Sequence, residues 1–435
     1  MGIGYWVLGI GYWVLGISQQ PKSNVQQPKA NRQRPRANVQ RPTANVQEPT
    51  TNNQQPMSKV IFTVTNDVYT DQRVNKMAMT LSEMGFHPTI IGVKRKHSQA
   101  FQPPYAGVRR IPLFFQKGFF FYAEYNLKLF FVLLFSRFGL LVANDLDTLL
   151  PAHLAARIRK KPLVYDTHEY FTGTPEVMDR PGVHKVWKAL ERWLLPRQKT
   201  IITVNDSIAG LYHQEYGKDL HVVRNLPPAL KVSQPLTRQD LNVPPETHIL
   251  LLQGSGINVE RGAEELVVAM RPEFGLERVQ LWIIGGGDVL PVLKEMAGED
   301  GMQGRIRFFP KMPYEQLMAH TALADIGLSL DKDRSINYRF SLPNKLFDYI
   351  MAGVPVLASD LPEVKMVVLK YGVGQVLPNH APATIAGTIS EMLADKAQMK
   401  KWKSNCLQAG KTLCWEEEEK IVQKIYKPFL QGESE

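Results

Sequence analysis

Short apolar runs alternate with segments of helical period twice over in this chain, and few architectures satisfy that alternation. The first series opens at Lys59 with Lys-Val-Ile-Phe-Thr-Val-Thr, apolar enough for a strand covered on both faces. A polar turn follows, then residues 71–84 with Val74, Met77, Leu81 and Met84 on one helical face. Further runs stand at 88–93, 139–143, 162–165 and 200–204. A proline-rich break at 225–228, drawn out through polar residues to Pro245, ends the series. It starts afresh at 248–253, with runs at 279–284, 305–309, 324–330 and 354–358. Such alternation builds a parallel sheet wrapped by helices. The expected fold is therefore α/β, with two Rossmann-like parallel-sheet domains facing across a cleft. The boundaries read are 57–228, a linker at 229–246, 247–412, and a helix at 413–435 crossing back onto the first domain.

Residues 1–56 fit neither domain. Gly-Ile-Gly-Tyr-Trp-Val-Leu occurs from Gly2 and again from Gly9, and the same seven-residue spacing separates Pro21, Pro28, Pro35, Pro42, Pro49 and Pro56. Proline, asparagine and glutamine cannot bury a core, so the segment reads as a disordered tail. One period running through two unlike compositions reads as translated upstream repeat DNA, with Met57 as the start. The apolar opening lacks the basic residues and cleavage site of a secretory signal, so the expected location is cytoplasmic.

Charge narrows the ligand class. Lys and Arg number 52 against 41 acids, a formal +11, but outside the tail the balance is 46 against 40, or +6. Spread over two domains, that is too mild to indicate nucleic acid, and it suits phosphorylated ligands near lipid headgroups. Cys406 and Cys414 lack CxxC spacing and a histidine cluster, which excludes a disulfide framework or a zinc site.

The most informative stretch runs from Ser341 to Val356. Ser341 as N-cap and Pro343 in the first turn predict a helix whose free N–H groups attract an anion. Asn344 and Asp348 share one face, with Lys345 beside them to neutralise phosphate and Asp348 placed to accept hydrogen bonds from ribose hydroxyls. Leu346, Phe347, Ile350 and Met351 cover the core side, and Gly353 with Pro355 ends the helix. An ordinary capped amphipathic helix would show the same pattern. Residues 253–262 follow the first strand of the second half, where glycines such as Gly254 let backbone approach a diphosphate and Arg261 pairs with its charge. A plain strand-to-helix turn is the other reading. Gly286, centre of a triple glycine after another strand, marks close passage of a ligand or of a neighbouring loop. In the first half, Asp166, His168 and Glu169 stand at the carboxyl end of a strand. Arg73 is suited to a phosphate on an acceptor, and Asp71 either faces that acceptor or caps its helix. Residues 119–138 are rich in Phe, Tyr and Leu with Lys128 and Arg137 interspersed, which fits a helix in the membrane interface or one in the core.

With these motifs in this order, the chain resembles the GT-B glycosyltransferases of family 4 over roughly 57–430. The carriers are Asp348 before Gly353-x-Pro355-Val356, the glycine turn ending in Arg261-Gly262, and His168 after its strand. The resemblance implies a retaining, metal-independent and cofactor-free transfer of a sugar from a nucleotide diphosphate donor to a glycan or lipid-linked acceptor. Domain 57–228 is then the acceptor side and 247–412 the nucleotide-sugar domain. It makes Gly254, Arg261, Gly286, Asn344, Lys345 and Asp348 donor-binding, with residues 309–314 against the base. It makes His168 catalytic, positioning or polarising the donor sugar's hydroxyls, and puts Asp71, Arg73 and Asp145 on the acceptor. Asp145-x-Asp147 would bind a divalent metal in the other large glycosyltransferase architecture; here the second α/β half carries the phosphate features, so no metal is expected. Asp147 then starts the following helix. The family's first acid position falls on Phe340, a departure that removes its carboxylate contact to the donor sugar. Peripheral contact with the inner face of a membrane through residues 119–138 is expected, and nucleic acid is not. A sugar-nucleotide epimerase and a non-catalytic sugar-nucleotide or glycan-binding partner remain the alternatives.

Overall fold

Most strand runs in this chain are apolar from end to end because both faces of each sheet are covered. The computed structural model describes residues 59–96, 98–229 and 235–430; the repeats of 1–56 and part of the expected linker lie outside the described residues. The first half runs β1 (Lys59–Thr63), α1 (Gln72–Glu83), β2 (His87–Lys94), β3 (Gly107–Pro112), α2 (Gly118–Phe135), β4 (Leu140–Asn144), α3 (Leu146–Arg159), β5 (Leu163–Asp166), α4 (Pro175–Met178), α5 (Pro181–Leu194), β6 (Thr200–Thr203), α6 (Asp206–Tyr216) and β7 (His221–Val222). Its seven strands are all parallel, in the order β3-β2-β1-β4-β5-β6-β7.

The second half repeats the scheme with β8 (His248–Gly254), α7 (Ala263–Ala269), β9 (Val279–Gly285), α8 (Leu290–Met296), β10 (Ile306–Phe309), α9 (Tyr314–Thr321), β11 (Ile326–Ser329), α10 (Ile336–Arg339), α11 (Asn344–Met351), β12 (Val356–Ser359), α12 (Pro362–Tyr371), β13 (Gly374–Leu377), α13 (Pro382–Ala394), α14 (Lys396–Ala409) and α15 (Trp415–Leu430). Six parallel strands stand in the order β10-β9-β8-β11-β12-β13.

Period-2 alternation sends Val60 and Phe62 to one face of the first sheet and Ile61 to the other. The first pair joins Val74, Met77 and Leu81 of α1 and Val422 and Tyr426 of α15; Ile61 joins Tyr125 and Leu129 of α2. The chain's last helix thus lies against α1, where Trp415 Nε1 donates to Thr80 Oγ1 at 3.2 Å. Cys406 and Cys414 are free and buried.

In each sheet the strand order reverses beside the first strand of its half, between β1 and β4 and between β8 and β11. Loops at the carboxyl ends of the strands diverge there and leave a crevice. The site is sought at those two points.

Candidate active site

Asp145 follows β4 at the first switch point, with φ at 61°, a left-handed value that costs a non-glycine residue energy. Its amide donates to the Asp166 carbonyl at 2.9 Å, and its Oδ1 accepts the His168 amide at 2.8 Å. The imidazole of His168 sits between carboxylates, Nδ1 at 3.4 Å from Asp145 Oδ2 and Nε2 at 3.7 Å from Asp166 Oδ2, with Asn144 Oδ1 at 3.2 Å. Burial opposes a charge on this ring, but Asp145 and Asp166 outweigh it and raise its pKa to about 9. His168 is therefore an imidazolium at neutral pH and holds no free base. Beside it, burial, reinforced by the charge of Asp145, lifts Glu169 to about 7. Asp147, in the first turn of α3, is buried and pushed up to about 8, with Thr65 donating to it at 2.6 Å.

Arg73, expected to face an acceptor, does other work, and Asp71 takes the capping reading. Arg73 is buried, forked onto Asp166 and donating to the Val223 carbonyl at 2.7 Å, so it ties α1 to β5 and the segment after β7 and cannot reach a ligand phosphate. Asp71 caps α1, its Oδ1 accepting from the Val74 amide at 3.2 Å. Of the acceptor set Asp145 keeps a partly exposed carboxylate in the crevice, its side chain 20% accessible, and Asp71 is likewise only half-buried.

At the second switch point the organising residue is Asp331, which no motif had marked. It follows β11, is buried, and takes Arg261 Nη1 at 2.9 Å and Lys345 Nζ at 3.0 Å on its two oxygens. Burial would raise its pKa, but Lys345 and Arg261 hold it below the ordinary carboxylate range. Two cations against one acid leave a positive charge in excess beside the start of α11. That helix begins at Asn344 with Pro343 at its N-cap and no side-chain cap; Ser341, expected there, donates instead to the Tyr338 carbonyl at 3.0 Å. The first N–H groups of α11 lack a side-chain cap, and Lys345 stands in that same turn.

The glycines resolve into packing roles. A Cβ on Gly285, at φ 137°, would fall 1.8 Å from the Gly254 carbonyl oxygen, and one on Gly287 would fall 1.9 Å from the Ile257 carbonyl oxygen. Gly286 makes room for Lys311, whose Cε would lie 2.5 Å from an added Cβ. Close passage here is by a neighbouring loop, whose Lys311 side chain runs over Gly286.

Asn344 and Asp348 belong to a different hollow from Lys345. They line a cavity of about 290 Å³ with Tyr314 and, from the first half, Tyr69, Lys76 and Phe101. Asp348 already accepts Gln253 Nε2 at 2.9 Å and Tyr314 Oη at 2.7 Å, and burial pushes it up to about 6. Lys76 is lowered to about 7 by burial and by the charge of Arg73, and donates to the Leu226 carbonyl.

The two switch points are joined through α10. Asn337 is buried between the halves, its Oδ1 accepting the Tyr170 amide at 3.1 Å and its Nδ2 donating to Glu169 at 2.9 Å. Its neighbour Tyr338 stacks under the Arg261 guanidinium at 4.5 Å. Ile336 and Phe340 pack on the core of the first half, where Gly173 leaves space for Ile336; Asn205 holds the Phe340 carbonyl at 2.6 Å. Phe340, at the family's acid position, thus serves as a contact between the halves.

Comparison with known proteins agrees with this two-domain fold. Residues 72–226 match the model of Glycosyltransferase Family 4, and residues 234–408 match that of Glycosyl transferases group 1. A D-inositol 3-phosphate glycosyltransferase of Xylanimonas cellulosilytica is 21% identical over 259 residues, 53% of this chain and 58% of that protein. A GDP-mannose-dependent alpha-(1-6)-phosphatidylinositol monomannoside mannosyltransferase of Mycobacterium tuberculosis is 26% identical over 141 residues, 32% of this chain and 37% of that one. The chain therefore spans less than two thirds of the length of these curated relatives. Among solved structures, sucrose-phosphate synthase from Thermosynechococcus elongatus superposes with a TM-score of 0.70 at 16% identity, covering 86% of this chain and 100% of that one.

Proposed function

The chain belongs to the family 4-like glycosyltransferases of the GT-B fold, and from that premise we propose that it moves a sugar from a nucleotide diphosphate donor onto the hydroxyl of a glycan or lipid-linked acceptor. The observation that carries this reading is the pair Arg261 and Lys345 meeting on Asp331, linked through Tyr338 and Asn337 to the His168 loop of the other half.

In the retaining reaction typical of this family, the acceptor hydroxyl attacks on the face from which the diphosphate departs, and no protein nucleophile is needed. Negative charge develops on the leaving phosphate. Arg261, Lys345 and the uncapped start of α11 are preorganised to meet it. The acceptor's proton leaves toward that same phosphate, because His168 is already protonated. His168, fixed by Asp145 and Asp166, presents its charge and its ring to the donor sugar. The Asp348 and Asn344 cavity is the natural place for the nucleoside, and Asp145 for the acceptor.

The outer face of α2 supports contact with a membrane. Phe121, Tyr125, Leu129 and Leu133 face the core, while Phe119, Phe120, Leu127, Phe131 and Phe135 are exposed, with Phe114 and Phe115 beside them. The helix is long and apolar enough to cross a bilayer by length and composition, but spanning would strip its four core residues from the sheet. Lying in the interface of the cytoplasmic leaflet uses both faces.

The test is release of nucleoside diphosphate from a panel of sugar nucleotides, with and without membrane glycolipid extract. Release that requires acceptor supports transfer. Acceptor-independent conversion of the sugar would replace it with epimerisation, and binding without turnover would replace it with a non-catalytic role.

A further inference from the structure

A second hollow, of about 450 Å³, lies at the opposite end of the first sheet from the crevice. Its floor is built from alternate residues of three adjacent strands: Ile61 of β1, Thr89 and Ile91 of β2, and Gly107 of β3. Register fixes their common face, with Ile61 opposite Thr89 and Thr89 opposite Gly107. That face is the one α2 covers, but α2 stops at Phe135, short of the strand starts, and Ser136 and Arg137 form the remaining wall. Gly107 keeps the hollow open, since an added Cβ would meet nothing nearer than Thr89 Oγ1 at 3.4 Å.

Lys59, Arg109 and Arg137 stand exposed around it with His87, and among the described residues no acidic one lines it. Among the described residues, none of these three cations is paired with a carboxylate. Like charges gathered round one concavity repel, and an anion held among them relieves that repulsion. The carbonyls at the end of α2, which would repel an anion, are partly covered: Arg159 donates to the Leu134 carbonyl at 2.8 Å and Ser136 Oγ to that of Val132 at 2.6 Å. Phe131 and Phe135, both exposed, continue from the rim along the outer face of the same helix.

We propose that this hollow binds the phosphate of an anionic phospholipid headgroup, with Phe131 and Phe135 set among the acyl chains beside it. The proposal rests on the interfacial reading of α2 and adds the headgroup chemistry to it. Distance from the crevice separates it from the donor site, because in a parallel sheet the reaction end is the carboxyl end of the strands. A nucleotide or a free phosphorylated sugar would make no use of the adjoining phenylalanines.

The experiment is co-sedimentation of the full chain with phosphatidylcholine vesicles, with and without phosphatidylglycerol. Anionic lipid should strengthen binding, and each of Lys59→Gln, Arg109→Gln and Arg137→Gln should reduce that gain about fivefold, the usual effect of one basic residue at such a surface. Gly107→Leu fills the hollow without altering charge and should remove much of the same gain. Phe131→Ser with Phe135→Ser should weaken binding to neutral vesicles, which reports on α2 separately from the hollow. Donor consumption in the absence of lipid should stay the same in all these variants. A gain that survives Gly107→Leu, or survives all three Gln changes together, overturns the site. Displacement of the protein from anionic vesicles by inorganic phosphate at low concentration would reassign the hollow to a free phosphorylated ligand and overturn the lipid assignment.

Discussion

The guanidinium of Arg73 forks onto the carboxylate of Asp166, Nη2 to Oδ1 at 2.7 Å and Nε to Oδ2 at 3.1 Å, and neither side chain meets water. Arg73→Ala leaves that carboxylate buried with only the His168 imidazolium, 3.7 Å away, against it, so it should cost about 3 kcal/mol of folding free energy, read as a fall in urea midpoint. Burial would raise Asp166, yet Arg73 and His168 hold it at about 2. A depressed carboxylate contributes stability above its unfolded pKa, about 3.9, and loses it as pH falls through 2. The wild type should therefore show an acid-unfolding limb below pH 4 that flattens in the variant. Unchanged stability with a raised acceptor KM would restore Arg73 to the acceptor.

His168 makes the opposite pH prediction. Its pKa is raised to about 9, so its contribution to stability is complete below the unfolded value, about 6.5, and is lost as pH rises through 9. His168→Ala should lower kcat by about 10²-fold, the scale of losing one preorganised electrostatic contact, while donor KM moves little. The alkaline limb of kcat near pH 9 should vanish with the ring. An unimpaired variant would remove His168 from the reaction.

Calorimetry with a nucleoside diphosphate and with the matching nucleoside separates the phosphate site from the nucleoside cavity. Arg261→Ala should weaken the diphosphate by about 1.5–3 kcal/mol, the range for a hydrogen bond to a charged group, and leave the nucleoside unaffected. Asp348→Ala should weaken both. Equal losses of nucleoside in the two variants would show that the hollow beside Asp348 and the cations on Asp331 are not separate subsites.

Asn337 joins the halves through Glu169, whose pKa is lifted to about 7 by its burial and by Asp145. Asn337→Asp places a second carboxylate against it. Small-angle scattering should show the variant more extended at pH 8, where both are charged, and compact again at pH 6, where Glu169 takes a proton. A radius of gyration that matches wild type at both values would mean that α10 is not what holds the crevice closed.

Ten strands were legible as apolar runs, nine of them because interior strands of a parallel sheet bury both faces, and the edge strand β10 because Ile306, Phe308 and Phe309 make it apolar by composition. β3, β7 and β13 were not. β3, Gly-Val-Arg-Arg-Ile-Pro, is an edge strand with its arginines at the surface, so it carries no continuous apolar signal. The cations that meet on Asp331 were readable as Arg261 and Lys345, because a glycine turn after a strand and a helix start each announce themselves locally. Asp331 was not, since one aspartate after one apolar run looks like many others. Its role exists only because β11 lies beside β8 and ahead of α11, which brings residues 261, 331 and 345 together. Arg73 was misread for the same reason: its partner is 93 residues away.

Local chemistry is what the sequence determined by itself: apolar period set the strands and helices, their order set two parallel sheets, and turn and helix-start residues marked the loops at the carboxyl ends of the strands. Tertiary structure alone decided which polar groups in those loops face a ligand and which face one another. Burial makes a charge take the nearest opposite charge whatever its distance along the chain. Arg73 was claimed by Asp166 in this way, Phe340 was given to the contact between halves, and Lys59, Arg109 and Arg137 were left around a hollow that no stretch of sequence contains.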